Sequence, residues 1–204
     1  MDNCITRWWN RNKKNKGHML YGDYFEPENS LKSLKAGLEH QNDPDFKMFE
    51  TDIAATKDNV IVCGHDAYHK PLDRMFPHHE KLHGKKIHEV KYSQLTYCTL
   101  FNSMESMPTL WQVLEKLDQK VTKPVRIELK DIRNDLVTKN IIKQLSKFQK
   151  DNPTIIQKVK GIRYNINIHL MMRKTRFENV FKTTEKRDCF KQKMMDCNLI
   201  LVVK

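Results

Sequence analysis

Between Phe49 and Asp66 the chain reads FETDIAATKDNVIVCGHD, and this stretch limits the possible folds more than any other. Glu50 and Asp52 lie two positions apart in a segment that otherwise reads as a strand. Successive strand side chains point to opposite faces, so both carboxylates leave one face beside each other. Asp58 and Asn59 then supply turn chemistry, and Val60, Ile61 and Val62 carry His65 and Asp66 to the end of a second extended segment. Two carboxylates and an imidazole at neighbouring strand ends can hold a hard cation beside a proton-transfer group. A solvent-facing strand edge with scattered charges fits the same residues, so the rest of the chain must decide.

At 204 residues the chain suits one domain with a tail, read here as a basic N-terminal segment, 1–16, followed by a domain over 17–204. Lys and Arg number 37 against 25 acids, a net charge of +12. That surplus favours phosphate-bearing partners: nucleic acid, anionic lipid or a small phosphoester. A lysine- and asparagine-rich composition accounts for it equally well, so charge alone selects no partner. No nucleic-acid-binding motif is present, which ranks that class last. Trp8 and Trp9, beside Arg7, Arg11, Lys13, Lys14 and Lys16, permit peripheral contact with a membrane surface, or pack on the domain.

Cys4, Cys63, Cys98, Cys189 and Cys197 form no CxxC pair and are odd in number. They argue against a disulfide framework and for a reducing, cytoplasmic compartment. No apolar core of a signal peptide and no run of about 18 apolar residues is present, so no membrane span is expected.

Further along, Asn29 is expected to cap a helix carrying Leu31, Leu34 and Leu38. Residues 67–107 read as an irregular, solvated segment rich in histidine, and the spacing of His78, His79 and His83 offers a weak zinc pattern with no completing ligand. Thr109 and Gln112 form a capping-box pattern before Leu110, Val113, Leu114 and Leu117 at helical spacing. In VRIELK, 125–130, the aliphatic residues share one face and Arg126, Glu128 and Lys130 the other. Inside an α/β barrel the aliphatic face packs on outer helices and the charged face lines the mouth. A helix over Asp135 to Asp151, one strand over 163–172, a helix over 183–196 and a last strand from Leu199 to Val203 complete the reading.

In order, the chain contains GHM (17–19), PENS (27–30), ETD (50–52), TKD (56–58), GHD (64–66), MPTL (107–110) and IELK (127–130). This series resembles the glycerophosphodiester phosphodiesterase family, whose pattern runs HRG, PEN, ExD, TkDg, HD, iPtL, iEiK. The resemblance implies a TIM-type (β/α) barrel and a divalent cation, Mg²⁺ or Ca²⁺, held by Glu50, Asp52 and Glu128. It implies His18 and His65 as catalytic histidines, Lys130 beside the substrate phosphate, and a small glycerophosphodiester as substrate. Two departures qualify the expectation. Met19 stands where the family has arginine, as in the related sphingomyelinase D-type phospholipases of venoms. Residues 131–204 hold only two or three of the roughly 30-residue units a full barrel still needs, so the barrel is expected to be shortened or open at its C-terminal half, or completed by something else. The alternative reading is therefore a shortened, inactive relative that binds phosphate or lipid headgroups.

Overall fold

The computed structural model describes residues 15–24, 27–65, 70–117, 121–130, 135–151, 156–159, 162–165, 168–172, 174–196 and 200–203. Trp8, Trp9, Asp66, Cys4 and Cys197 lie outside them.

Strand β1 (Phe49–Ala55) is the centre of the molecule, and all seven of its residues are buried. Continuous burial is what a parallel strand covered on both faces requires. It pairs antiparallel with β2 (Ile61–Cys63) on one side and parallel with β3 (Val125–Leu129) on the other. Strands β6 (Ile168–Met172) and β7 (Ile200–Val203) extend the sheet in parallel, giving the order β2-β1-β3-β6-β7. Between β3 and β6 the chain forms a separate antiparallel pair, β4 (Ile156–Val159) with β5 (Ile162–Asn165). Four parallel strands with helices on their outer face make an incomplete barrel.

The outer layer consists of α1 (Leu31–His40), α3 (Leu110–Leu117) and α4 (Asp135–Asp151). Val125, Ile127 and Leu129 of β3 share one core with Val113 and Leu117 of α3 and with Val137, Ile141, Leu145 and Phe148 of α4. The aliphatic face of VRIELK thus packs outward on helices, which leaves its charged face inside, as barrel geometry demands. Thr109 caps α3 as its spacing predicts: Gln112 N–H donates to Thr109 Oγ1 at 3.2 Å and Thr109 N–H to Gln112 Oε1 at 2.8 Å.

Three expectations need correction. Ser30, not Asn29, caps α1, accepting from Ser33 N–H at 3.0 Å. Asn29 is fully buried and bent to a φ of 55°, which frees its side chain for β1. The alternating stretch 163–172 is two strands in two different sheets rather than one strand. Finally, residues 70–107 are far from solvated. Short 3-10 turns and a single helical turn, α2 (Tyr92–Leu95), wrap a second core of Leu72, Met75, Phe76, Leu82, Ile87 and Leu95. Ala54 and Val62 join that core, so the segment is seated on the ends of β1 and β2. Within it His79 Nε2 accepts from Thr99 N–H at 3.0 Å and His83 Nε2 lies 3.2 Å from the Pro77 carbonyl. Two of the three histidines of the weak zinc pattern, His79 and His83, tie down backbone instead.

The helices α5 (Lys174–Val180) and α6 (Thr184–Asp196) precede β7. Phe177, Phe181 and Phe190 form one aromatic cluster with centroids 4.6 to 6.1 Å apart, and this cluster anchors both helices to the main core. Among the described residues no helix is long and apolar enough to cross a membrane.

Candidate active site

Glu50 and Asp52 leave β1 on its inner face, and parallel pairing sets Glu50 opposite Arg126 and Asp52 opposite Glu128. Adjacent strands lie about 4.8 Å apart, so this register alone crowds three carboxylates together. Oxygen atoms of Glu50, Asp52 and Glu128 all lie within 4.8 Å of one another. Asp52 is 1% exposed and neither carboxylate oxygen accepts a well-directed hydrogen bond, although Lys130 Nζ lies 3.0 Å from Oδ1. Lys130 Nζ also meets Glu128 Oε1 at 2.7 Å. Buried carboxylates with lone pairs to spare and a purely oxygen donor set fit a hard divalent cation.

The electrostatics follow from that crowding. Burial, then the Asp52 charge, pushes the Glu50 carboxyl up to about 8, against the pull of the Met19 N–H. Burial likewise raises Asp52, opposed by the positive charge of Lys130 and by His65. Burial alone would lower Lys130, but the carboxylates of Asp52 and Glu128 outweigh it and the net direction is up. Arg126 is pulled down by burial and held up by Glu50 and Glu128.

His65 arrives from β2. Gly64 N–H donates to the Asp52 carbonyl at 2.9 Å, which ties the backbone of the histidine to the strand bearing the carboxylates. His18 arrives from the other side. The carbonyl of Gly17 accepts from Glu50 N–H at 2.8 Å, and a Cβ at position 17 would fall 1.9 Å from the Met48 carbonyl oxygen, so only glycine fits there. The following turn, His18–Tyr21, then takes left-handed backbone at Met19 (φ 49°), Leu20 (φ 58°) and Tyr21 (φ 78°). Such backbone costs roughly 1–2 kcal/mol per residue and collects at functional sites. The surroundings impose it: Leu20 is fully buried, the Met19 carbonyl accepts from Asn29 N–H at 2.9 Å, and Met19 N–H donates to Glu50 Oε2 at 3.1 Å. The turn leaves His18 Nε2 3.8 Å from Glu50 Oε2.

All six residues singled out in the sequence therefore belong to one mouth: Glu50, Asp52, Glu128 and Lys130 in direct contact or near it, with His18 against Glu50 and His65 against Asp52. Three further residues act on this mouth: sequence reasoning gave Asp23 and Asn29 no part in it and placed Arg126 on the charged face without a role. Asp23 Oδ2 sits 2.8 Å from His18 Nδ1, so that nitrogen carries the proton and Nε2 faces the carboxylates. Its only signal was a carboxylate five positions after the histidine. Asn29 Oδ1 accepts from Thr51 Oγ1 at 2.8 Å and from Asp52 N–H at 3.3 Å, locking β1 in place. Arg126, 8% exposed, shares the inner face of β3 with Glu128 and Lys130, a placement its alternation with Val125 and Ile127 had indicated.

Comparison with known proteins agrees with this fold. Three solved structures share the fold. An Oleispira antarctica phosphodiesterase, in complex with its product sn-glycerol-3-phosphate, is 15% identical over 87% of this chain and 69% of its own, with a TM-score of 0.52. A candidate glycerophosphoryl diester phosphodiesterase from Agrobacterium tumefaciens is 12% identical over 91% and 82%, with a TM-score of 0.52. The glycerophosphoryl diester phosphodiesterase domain of a Mycobacterium tuberculosis protein is 9% identical over 90% and 57%, with a TM-score of 0.51. No curated protein matches the sequence. Residues 19–189, most of the chain, match the model of one family, and the protein belongs to it: the glycerophosphoryl diester phosphodiesterase family.

Proposed function

We propose that the protein is a divalent-metal-dependent phosphoric diester hydrolase that splits a small glycerophosphodiester into an alcohol and glycerol 3-phosphate. The observation that carries this reading is the set of three carboxylates within 4.8 Å at adjoining strand positions, two buried and Glu128 partly so, flanked by two imidazoles. Glu50, Asp52 and Glu128 would hold the cation, Mg²⁺ or Ca²⁺, whose charge would offset that of a phosphodiester. Lys130, with its ammonium already directed into the mouth, contributes a second positive charge for the phosphate oxygens. His18 and His65 divide the proton transfers: one imidazole accepts the proton of the attacking hydroxyl or water, and the other donates to the departing alkoxide. Asp23 fixes the tautomer of His18, so that its Nε2 is the atom available for that exchange.

The test is turnover of glycerophosphocholine by purified protein with Mg²⁺, with Ca²⁺ and with EDTA. Hydrolysis that depends on the cation and disappears in His65→Ala is expected. If the folded protein gives no turnover with either cation yet binds glycerol 3-phosphate, the hydrolase reading fails and the chain is a binding module for phosphate headgroups, the alternative that Met19 in place of arginine favours.

A further inference from the structure

Away from the mouth, α4 and the α5–α6 pair enclose a groove with a cavity volume of about 480 Å³. This size lies within the range of small-molecule sites, roughly 300–1,000 Å³. Its floor is apolar: Ile142 from α4, Val180 and Phe181 from the end of α5, and Phe190 from α6. The floor is rigid as well, because Phe181 and Phe190 stack at 4.6 Å and are only 9% and 4% exposed.

The rim is unlike the floor. Lys139 and Lys143 stand along one wall and Lys186 and Lys193 along the other, and no acidic residue lines the groove. Elsewhere on these helices lysines find acids, as Lys147 does with Asp151 and Lys191 with Asp188. Among the described residues the four rim lysines form no ion pair. Four ammonium groups around one trough repel each other, and a ligand anion is the group that would relieve them. The walls run from Thr138 to Lys143 on α4 and from Lys186 to Lys193 on α6, five and seven rises of about 1.5 Å, so the trough is about 8–10 Å long. That length accepts about two turns of a helix, too little for a stable docked segment, but suits part of one alkyl chain.

We propose that this groove binds a single-chain anionic amphiphile, with the alkyl chain on the Ile142–Phe181–Phe190 floor and the anionic head between the lysine rows. The proposal is independent of the chemistry assigned to the mouth, so neither stands or falls with the other.

Cys189 provides a local reporter. It is an exposed free cysteine lining the groove, whereas Cys98, half-buried on the far segment, serves as the internal control. Full-length protein is treated with iodoacetamide while decyl phosphate is added below its micelle concentration, and alkylation of each cysteine is followed by mass spectrometry. Decyl phosphate is expected to slow Cys189 at least fivefold and leave Cys98 unchanged. Affinity by calorimetry should rise about threefold to fourfold per methylene from hexyl to decyl phosphate. Inorganic phosphate and decyltrimethylammonium should neither bind nor protect. In Lys143→Glu/Lys186→Glu, checked for fold by circular dichroism, binding should weaken at least tenfold. Cys189→Trp, which fills the trough and keeps every charge, should also lose binding, and it tests the idea if the double variant does not fold. Equal protection by the cationic amphiphile, no protection by decyl phosphate, or protection by phosphatidylserine vesicles alone would each overturn the proposal, the last because the face would then belong on a membrane.

Discussion

The two halves of this protein handle charge in opposite ways. Up to Lys130, charged groups are drawn inside: Glu50, Asp52, Arg126 and Lys130 are all under 9% exposed and crowd one mouth between β1 and β3. After Asp135, among the described residues, no charged side chain is buried, and burial is left to aliphatic stripes and the Phe177–Phe181–Phe190 cluster. Burying unlike charges is costly unless each meets a partner, so the first half needs tight backbone control from Gly17, Asn29 and the strained His18–Tyr21 turn. The second half, free of that demand, is joined to the first by apolar packing and strand pairing, by Lys147 over the Trp111 ring at 4.8 Å, and by a 3.5 Å hydrogen bond from Asn140 Nδ2 to the Asn59 carbonyl.

The largest effect that would sharpen this division is on turnover. His65→Ala and His18→Ala should each lower kcat by about 10²–10⁴-fold with melting temperature little changed, the range for loss of a positioned acid or base. Lys191→Ala, on the outer face of α6, should leave kcat unaltered; a loss there would erase the distinction between the halves. Next in size is a core truncation applied to both. Leu114→Ala in α3 and Leu145→Ala in α4, both fully buried, should each cost about 2–5 kcal/mol in urea unfolding. Equal losses with a shared unfolding transition would indicate one cooperative unit, whereas separate transitions would split the halves physically.

A third prediction concerns pH. Burial and the Asp52 charge hold the Glu50 carboxyl up at about 8 in the fold against an ordinary value of 4.5, so the folded state binds the extra proton between those values. The resulting stability is full below about pH 4.5 and lost as pH rises towards 8. In EDTA the melting temperature should fall across pH 5.5 to 8.5, by an amount on the order of a few kcal/mol in stability. Saturating Mg²⁺ or Ca²⁺ should flatten or reverse that slope, because a cation binds the deprotonated carboxylates. Calorimetric scans at three pH values decide it; a slope identical with and without cation counts against the site. Smaller still is Asn29→Ala, which leaves Thr51 Oγ1 and Asp52 N–H without their acceptor and should cost about 1–3 kcal/mol. The exposed Lys147–Asp151 pair closes the series, since Asp151→Ala should change stability by less than about 0.5 kcal/mol.

Much of the first half was legible because its signals are local. The two-residue spacing of Glu50 and Asp52 fixes their shared face once the segment is a strand, and the Thr109–Gln112 box fixes where α3 begins. VRIELK stayed ambiguous until its neighbours implied a barrel, and then only one orientation served. What could not be read depends on distant contacts. Asn29 looked like a cap because its residue type suits one; only β1, brought close by folding, explains why Ser30 caps and Asn29 turns inward. The segment 70–107 hid its core because 3-10 turns leave no 3.6-residue or two-residue period to detect. The division between β5 and β6 was hidden for the converse reason: the sequence alternates from Tyr164 to Leu170, although the two strands join different sheets. Met19 was marked by the arginine it lacks, while its backbone N–H, directed at Glu50 by a left-handed turn, has no sequence signature.

The account rests on Glu50, Asp52 and Glu128 acting together as one cation site. Calorimetric titration of Mg²⁺ and Ca²⁺ into chelator-stripped protein, repeated in buffers of different ionisation heat, tests that directly. One site per chain with proton release on binding, both lost in Asp52→Asn while the fold is retained, is the predicted result. Absence of binding by the wild type, or binding that Asp52→Asn leaves intact, would contradict it.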